Sequence, residues 1–270
     1  MASGVLQTHT ILDKIMAHKL GEIAAAERAT PLPSLIEQAK LAPPPRDFKA
    51  ALQAGPHIAL IAEVKQASPS KGVLIDPFHP VDIARFYADH GAAAISILTD
   101  EAFFQGHLDH LRAIRAEVNL PLLRKEFILS PYQVYEARAA GADAILLIVA
   151  CLADGLLADL QALGHELGLG VLVEVHDQAE LDRALAIGCP IIGVNNRDLR
   201  DFSMDLSTTP RLAASLPVGT VLVGESGIKT AEDVRSMGPI DAILVGETVV
   251  TAPNRGEKMA ELSSVRRAKP

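Results

Sequence analysis

Glu63 and Lys65 stand two apart where the apolar run IALIAEV gives way to the turn-rich SPSKG, within IAEVKQASPSKG (Ile61–Gly72). Strand side chains alternate faces, so residues i and i+2 leave the chain together, here a carboxylate beside an ammonium. The pattern recurs. Lys125 and Phe127 share a face; so do Leu172, Glu174 and His176, then Gly193, Asn195 and Arg197; Glu225 ends another run beside Ser226 and Gly227. One such charge would be explained by a strand end reaching water. Five runs ending this way point to a common site of cations and carboxylates. A few lysines can make that site locally positive and able to take a small anionic substrate, although the chain carries a net charge of −8. VGESGI and LVGETVV add a second signal, since each places a glycine, Gly227 or Gly246, just before an expected helix. Helix N-termini offer unpaired N–H groups and a positive dipole end to an anion.

The elements that must position these residues repeat along the chain. Eight apolar runs begin near His57, Ala93, Pro121, Ala144, Gly170, Ile191, Thr220 and Ala242, each followed by a polar loop and an amphipathic segment. Several segments stop at a glycine: HGA, AGA, IGC and MGP, at His90, Ala140, Ile187 and Met237. Glycine accepts the left-handed conformation that ends a helix. Near-continuous apolar strands alternating with helices imply a parallel sheet. Eight units over roughly 200 residues fit an α/β (β/α)8 TIM barrel, whose strand C-termini line the active site. No G-x-G-x-x-G follows the first run, which weakens a dinucleotide-binding open sheet.

Residues 1–50 lie outside the repeat. TILDKIMAHKLGEIAAAER has helical spacing, with Ile11, Ile15, Met16 and Leu20 on its apolar side; PLPSLIEQAK predicts a second helix, and APPPR stops it. The expected organisation is a single domain over 1–270. An N-terminal helical extension (1–50) packs on a barrel (57–262), and a short solvated tail follows (263–270).

The chain is 49% hydrophobic, enough for a large core, and its acidic balance argues against a nucleic-acid surface. Two cysteines are too few for a disulfide framework, and no apolar run approaches a membrane span, so a cytoplasmic protein is expected. The charge predicts a soluble monomer without excluding a dimer. His107 and His110 lack further ligands, so no metal site is expected. No G-x-S-x-G elbow appears, and neither cysteine sits in a triad context. Arg124 and Glu126 have the opposite parity from Lys125 and are expected to face the helices as an ion pair. His176 is read as a loop histidine.

The opening stretch resembles the E-x-K-x-x-S-P-S-x-G signature of the indole-3-glycerol phosphate synthase family, through Glu63, Lys65, Ser68, Pro69, Ser70 and Gly72. LTDEAFFQG (Leu98–Gly106), LRKEFI (Leu123–Ile128), VEVH (Val173–His176), GVNNRDL (Gly193–Leu199) and GESGI (Gly224–Ile228) match in order, so the similarity covers nearly the whole chain. The resemblance implies ring closure of 1-(2-carboxyphenylamino)-1-deoxyribulose 5-phosphate, with loss of carbon dioxide and water and without metal or organic cofactor. It implies Lys125 as general acid, Lys65 on the substrate carboxylate and Glu174 as general base. Glu63 and Glu225 would hold the lysines and substrate in register. Asn195, Arg197 and Ser226 would bind polar substrate groups. Ser68, Gly227, Gly246 and the Glu247 backbone would take the phosphate. Phe104, Phe127 and Pro69, with Leu146, would wall the aromatic ring. Two stretches depart from the family pattern: His107 stands where a small hydroxyl residue is common, and ETVVTAPNRG follows Gly246.

Rival readings make different demands. A phosphoribosylanthranilate isomerase would be expected to use a Cys and Asp pair at strand ends, but Cys151 follows the fourth run and Cys189 precedes the sixth. Intact Lys65, Lys125 and Glu174 argue against a non-catalytic binding barrel.

Overall fold

The computed structural model describes residues 4–69, 71–198 and 200–267; Ser70, Leu199 and the last residues of the tail lie outside them. Eight parallel strands close into a barrel: β1 (Ala59–Val64), β2 (Ala94–Leu98), β3 (Leu122–Lys125), β4 (Ala144–Ile148), β5 (Gly170–Val175), β6 (Ile191–Asn195), β7 (Val221–Glu225) and β8 (Ala242–Val245). Each pairs with its sequence neighbours, and β1 closes the ring against β8 with Ala59 opposite Ala242. All eight apolar runs become strands, within two residues of the expected starts. The four glycine stops also hold: Gly91, Gly141, Gly188 and Gly238 have φ of +85°, +89°, +70° and +75°.

Three helices precede β1: α1 (Ile11–Ala29), α2 (Leu32–Leu41) and α3 (Phe48–Gln53). The third has no counterpart in the sequence reading; it is short, and Asp47 caps it by accepting from the Ala50 N–H at 2.8 Å. Thr10 caps α1 through its hydroxyl. The face that α1 buries is Leu12, Ile15, Met16, Lys19 and Ile23, while Ile11 and Leu20 are only partly covered. That corrects the predicted stripe, because a lysine occupies its centre. Burying an aliphatic side chain contributes about 1.5–3 kcal/mol, so this face supplies much of the docking energy.

Among the described residues ten further α-helices follow: α4 (Pro80–Asp89), α5 (Glu101–Phe104), α6 (Leu108–Glu117), α7 (Pro131–Ala139), α8 (Asp154–Glu166), α9 (Gln178–Ala186), α10 (Thr208–Ala213), α11 (Ala231–Ser236), α12 (Glu247–Val250) and α13 (Arg255–Ser263). At the end of the barrel away from the charged strand ends, buried Asp143 accepts from the N–H groups of Leu122 and Arg46 and pairs with Arg115. This ties the chain between α2 and α3 to the barrel floor. No helix among the described residues is long and apolar enough to cross a membrane. Cys151 and Cys189 are buried free thiols.

Candidate active site

The inward parity read from the sequence holds at the barrel mouth. Glu63, Lys65, Lys125, Phe127, Leu146, Glu174, Asn195, Arg197 and Glu225 all line one cavity of about 450 Å³. Ser68, Pro69, Phe104, Ser226, Gly227, Gly246 and Glu247 complete it from the loops. The structure therefore brings every predicted site residue to one place.

The two lysines are held separately. Lys65 Nζ lies 2.8 Å from Glu63 Oε1. Lys125 Nζ lies 3.0 Å from Glu225 Oε2 and 3.3 Å from Glu174 Oε2. Burial alone would lower the Lys125 pKa, but Glu225, Glu174 and Glu63 outweigh it and hold the ammonium form above the ordinary lysine range. Burial raises the pKa of Glu63, yet Lys65 and Lys125 more than reverse this and keep it ionised. Glu174 is likewise held low, its burial overcome by Lys125, His176 and the Asn195 amide, which donates to Oε1 at 3.0 Å. Glu225 behaves oppositely. Burial, with repulsion from Glu174, pushes it up to about 7 despite Lys125. Two carboxylates share one ammonium, and Glu225 is the one that gives way. Its Oε1 is buried and has no hydrogen-bond partner among the described residues.

Absent side chains make room for these carboxylates. A Cβ on Gly193 would collide with Glu225 Oε1, and one on Gly246 would meet Glu63 Oε1 at 2.5 Å. Gly193→Ala is therefore expected to displace Glu225 from Lys125, costing about 1–3 kcal/mol in stability and about a hundredfold in kcat/KM. Paired urea titration and steady-state kinetics of the variant would check both.

The aromatic wall pairs Phe104 with Phe127 at a ring-centroid distance of 6.1 Å. The chain after β1 folds back over the mouth, with Ser68 opposite Gly72 in a short antiparallel ladder. The Ser68 hydroxyl is buried without a partner among the described residues. On the glycine side, the amides of Gly227, Gly246 and Glu247 make no hydrogen bond to the described protein, so their donors remain open. The expected helix N-terminus after Gly227 needs correction. α11 starts only at Ala231, and its first amides are taken up by the Asp233 and Glu261 carboxylates. The donor there is the loop amide, not a helix end.

Arg124 faces the helices as expected, whereas Glu126, one residue past β3, also lines the cavity, and the two are not chiefly each other's partners. Arg124 pairs with Glu136 at 2.7 Å and lies 3.8 Å from Glu126. Glu126 is taken instead by Lys19, at 3.0 Å, and Lys19 also reaches Asp100 at 2.9 Å and Glu22 at 2.5 Å. Asp100 caps α5, which carries Phe104, and Glu126 precedes Phe127. One buried ammonium thus anchors both aromatic walls, while Ile11, Leu12 and Ile15 of the same helix line the cavity.

The departures from the family pattern have local accounts. His107 caps α6, its Nδ1 accepting from the Asp109 N–H at 3.0 Å, which is the service a hydroxyl would give. After Gly246, Val249 and Val250 pack inward, and Thr248 donates to the Ile228 carbonyl at 2.6 Å. Sequence reasoning passed over Asn196. Its buried amide donates to the Glu225 carbonyl at 2.9 Å and to the Ser226 carbonyl at 3.3 Å. That contact steadies Ser226, whose φ is +64°, a conformation uncommon for a residue with a side chain. The only signal was its parity, opposite to Asn195. His176 lies in the loop after β5, as read, and its Nε2 approaches Glu174 Oε1 to 3.4 Å. Among the described residues, no cluster of three His, Cys, Asp or Glu is arranged to hold a metal ion.

Acid–base groups gathered at the C-terminal mouth of a closed parallel barrel mark the protein as a (β/α)8-barrel enzyme. Among solved structures, thiamine phosphate pyrophosphorylase from Pyrococcus furiosus superposes with a TM-score of 0.58, covering 76% of this chain and 94% of that one. At 18% identity this likeness concerns the fold alone. The sequence comparisons are more specific. The profile of the family described as indole-3-glycerol phosphate synthase matches residues 12–262. The indole-3-glycerol phosphate synthase of Roseiflexus castenholzii is 56% identical over 94% of this chain and 98% of its own. That of Roseiflexus sp. strain RS-1 is 58% identical over the same shares, and that of Variovorax paradoxus 51% identical over 93% and 98%. The chain belongs to the indole-3-glycerol phosphate synthase family, carboxy-lyases of tryptophan biosynthesis.

Proposed function

We propose that the protein closes the indole ring of 1-(2-carboxyphenylamino)-1-deoxyribulose 5-phosphate, releasing carbon dioxide and water, with Lys125 as general acid and Glu174 as general base. The observation that carries this reading is the separation of two lysines on one cavity, each held by its own carboxylates beneath an aromatic pair. The substrate brings a carboxylate, a phosphate and an aryl ring, and the cavity offers a cation, open amides and Phe104 with Phe127 to meet them.

In the first step the aryl carbon bearing the carboxylate attacks the ketone carbon. Lys125 delivers a proton to the ketone oxygen, which becomes a hydroxyl. Its ammonium is the form present at neutral pH, so the donor is in place. Glu225 eases the transfer: burial raises its pKa, and on protonation it withdraws one of the negative charges that hold the Lys125 proton. Lys65 holds the substrate carboxylate until that group leaves as carbon dioxide. It then donates the proton with which the hydroxyl departs as water. Glu174 removes the ring-side proton that restores aromaticity. Asn195 and Glu63 hold Glu174 and Lys65 in register; Arg197 and Ser226 meet substrate hydroxyls. Ser68 and the amides of Gly227, Gly246 and Glu247 take the phosphate. We assign the protein to the cytosol, where its two buried thiols would remain reduced, and expect it to act as a monomer.

Purified protein given this substrate should develop indole fluorescence without added metal. Tight binding with no turnover would instead make the protein a ligand-binding barrel.

A further inference from the structure

His176 follows Glu174 by two residues and shares its face of the barrel wall, but it stands at a partition. The catalytic cavity holds Glu174 on one side. A second, polar cavity of about 560 Å³ reaches His176 and Glu180 from the other. Between them the imidazole faces a carboxylate at each ring nitrogen. Nδ1 lies 3.0 Å from Glu180 Oε2, which also accepts the His176 backbone N–H at 2.8 Å. Nε2 is buried, makes no hydrogen bond among the described residues, and lies 3.4 Å from Glu174 Oε1. Glu180 is itself fixed, because its N–H donates to Asp177, the cap of α9.

We infer that His176 is a positioning residue for the base: gripped by Glu180 from the second cavity, it keeps Glu174 ionised and its carboxylate turned toward the substrate. This rests on Glu174 acting as the base. The requirement is chemical, because a buried carboxylate with one ammonium nearby would otherwise lose its charge to desolvation. Lys125 cannot meet it alone, since Glu225 competes for that ammonium at a shorter distance. A second cation on the Oε1 side of Glu174, beside the Asn195 amide, lets Lys125 change its protonation during turnover without protonating the base.

The surrounding charges favour an imidazolium. Glu174 on β5, Glu180 and Asp177 at the start of α9, and Asp198 beyond β6 supply negative charge. Lys125, across Glu174, and Arg183, Arg197 and Arg200, around the second cavity, supply positive charge. Arg183 is tied to Asp154 and Arg200 to Asp198, which leaves the two glutamates as the dominant neighbours. Burial would lower the His176 pKa, but Glu174 and Glu180 overcome it and raise it to about 10. By linkage this stabilises the fold fully below the unfolded value of about 6.5 and is lost as pH rises through about 10.

The test joins spectroscopy to kinetics on the full chain. In ring-¹⁵N NMR, His176 should remain imidazolium well above neutral pH and titrate near 10. In Glu174→Gln and in Glu180→Gln its midpoint should fall by about one to three units. In His176→Asn, kcat should fall about tenfold to a hundredfold with KM little changed. A His176 that titrates near 6.5 in the unaltered protein would overturn the inference, even where a variant fails to fold. So would a midpoint unmoved in Glu174→Gln, or full kcat in His176→Asn. The underlying reading fails differently: Glu174→Gln would itself keep full turnover.

Discussion

Lys125→Ala is expected to lower kcat/KM by about 10²–10⁴-fold, the range over which a positioned proton donor acts. The variant loses more than a donor. Glu225 and Glu174 both contact this ammonium, so its removal leaves two buried carboxylates facing each other. Like charges so close cannot both stay ionised. Glu225, already pushed up to about 7, will take the proton. The pocket can therefore fold without Lys125, in a changed charge state. Lys125→Arg separates the contributions, since arginine keeps the charge but does not release a proton in proteins. It should restore the charge balance while leaving turnover low. Steady-state indole fluorescence with circular dichroism on both variants is the measurement. Full activity in Lys125→Ala would remove the acid assignment.

Lys19→Met is expected to cost about 3–5 kcal/mol of stability, the usual penalty for stripping one partner from a buried ion pair. Methionine fits the apolar stem of the lysine but supplies no charge. Asp100 and Glu126, both buried, would lose the cation 2.9 and 3.0 Å away. Glu22, nearer the surface, matters less. Because the same ammonium steadies the supports of Phe104 and Phe127, KM should rise as stability falls. Urea denaturation compares the two proteins directly. A loss below about 1 kcal/mol would mean that Lys19 behaves as an exposed pair would.

The sequence disclosed most where the governing rule is local. Strand starts, glycine stops and the inward parity of Glu63, Lys125, Glu174, Asn195 and Glu225 follow from a two-residue period and turn chemistry. Contacts that went unread depend on distant partners. Lys19 drew no notice in the sequence because its carboxylates arrive only with Asp100 and Glu126. His176 is the loop residue it was read as, but its carboxylate partners, Glu174 before it and Glu180 on the next helix, were not legible. Gly193 read only as an inward strand position and Gly246 as the start of a helix, whereas both also leave volume to Glu225 and Glu63. Asn196 was hidden by its neighbour: the parity that sends Asn195 into the cavity sends Asn196 into the wall, where it braces Ser226.

The Lys19 contacts also fix an order of events as the chain folds. Asp100 and Glu126 lie 81 and 107 residues downstream (100 − 19 and 126 − 19). Neither carboxylate is in position until the loops after β2 and β3 exist, so α1 cannot settle on them until the first three strands of the barrel are in place. Docking of α1 is then expected to follow the pairing of β1 to β3 and to be weakly formed in the folding transition state. Weakening it should hasten unfolding far more than it slows folding. The roof over the reaction chamber thus waits on two loops of the barrel it covers.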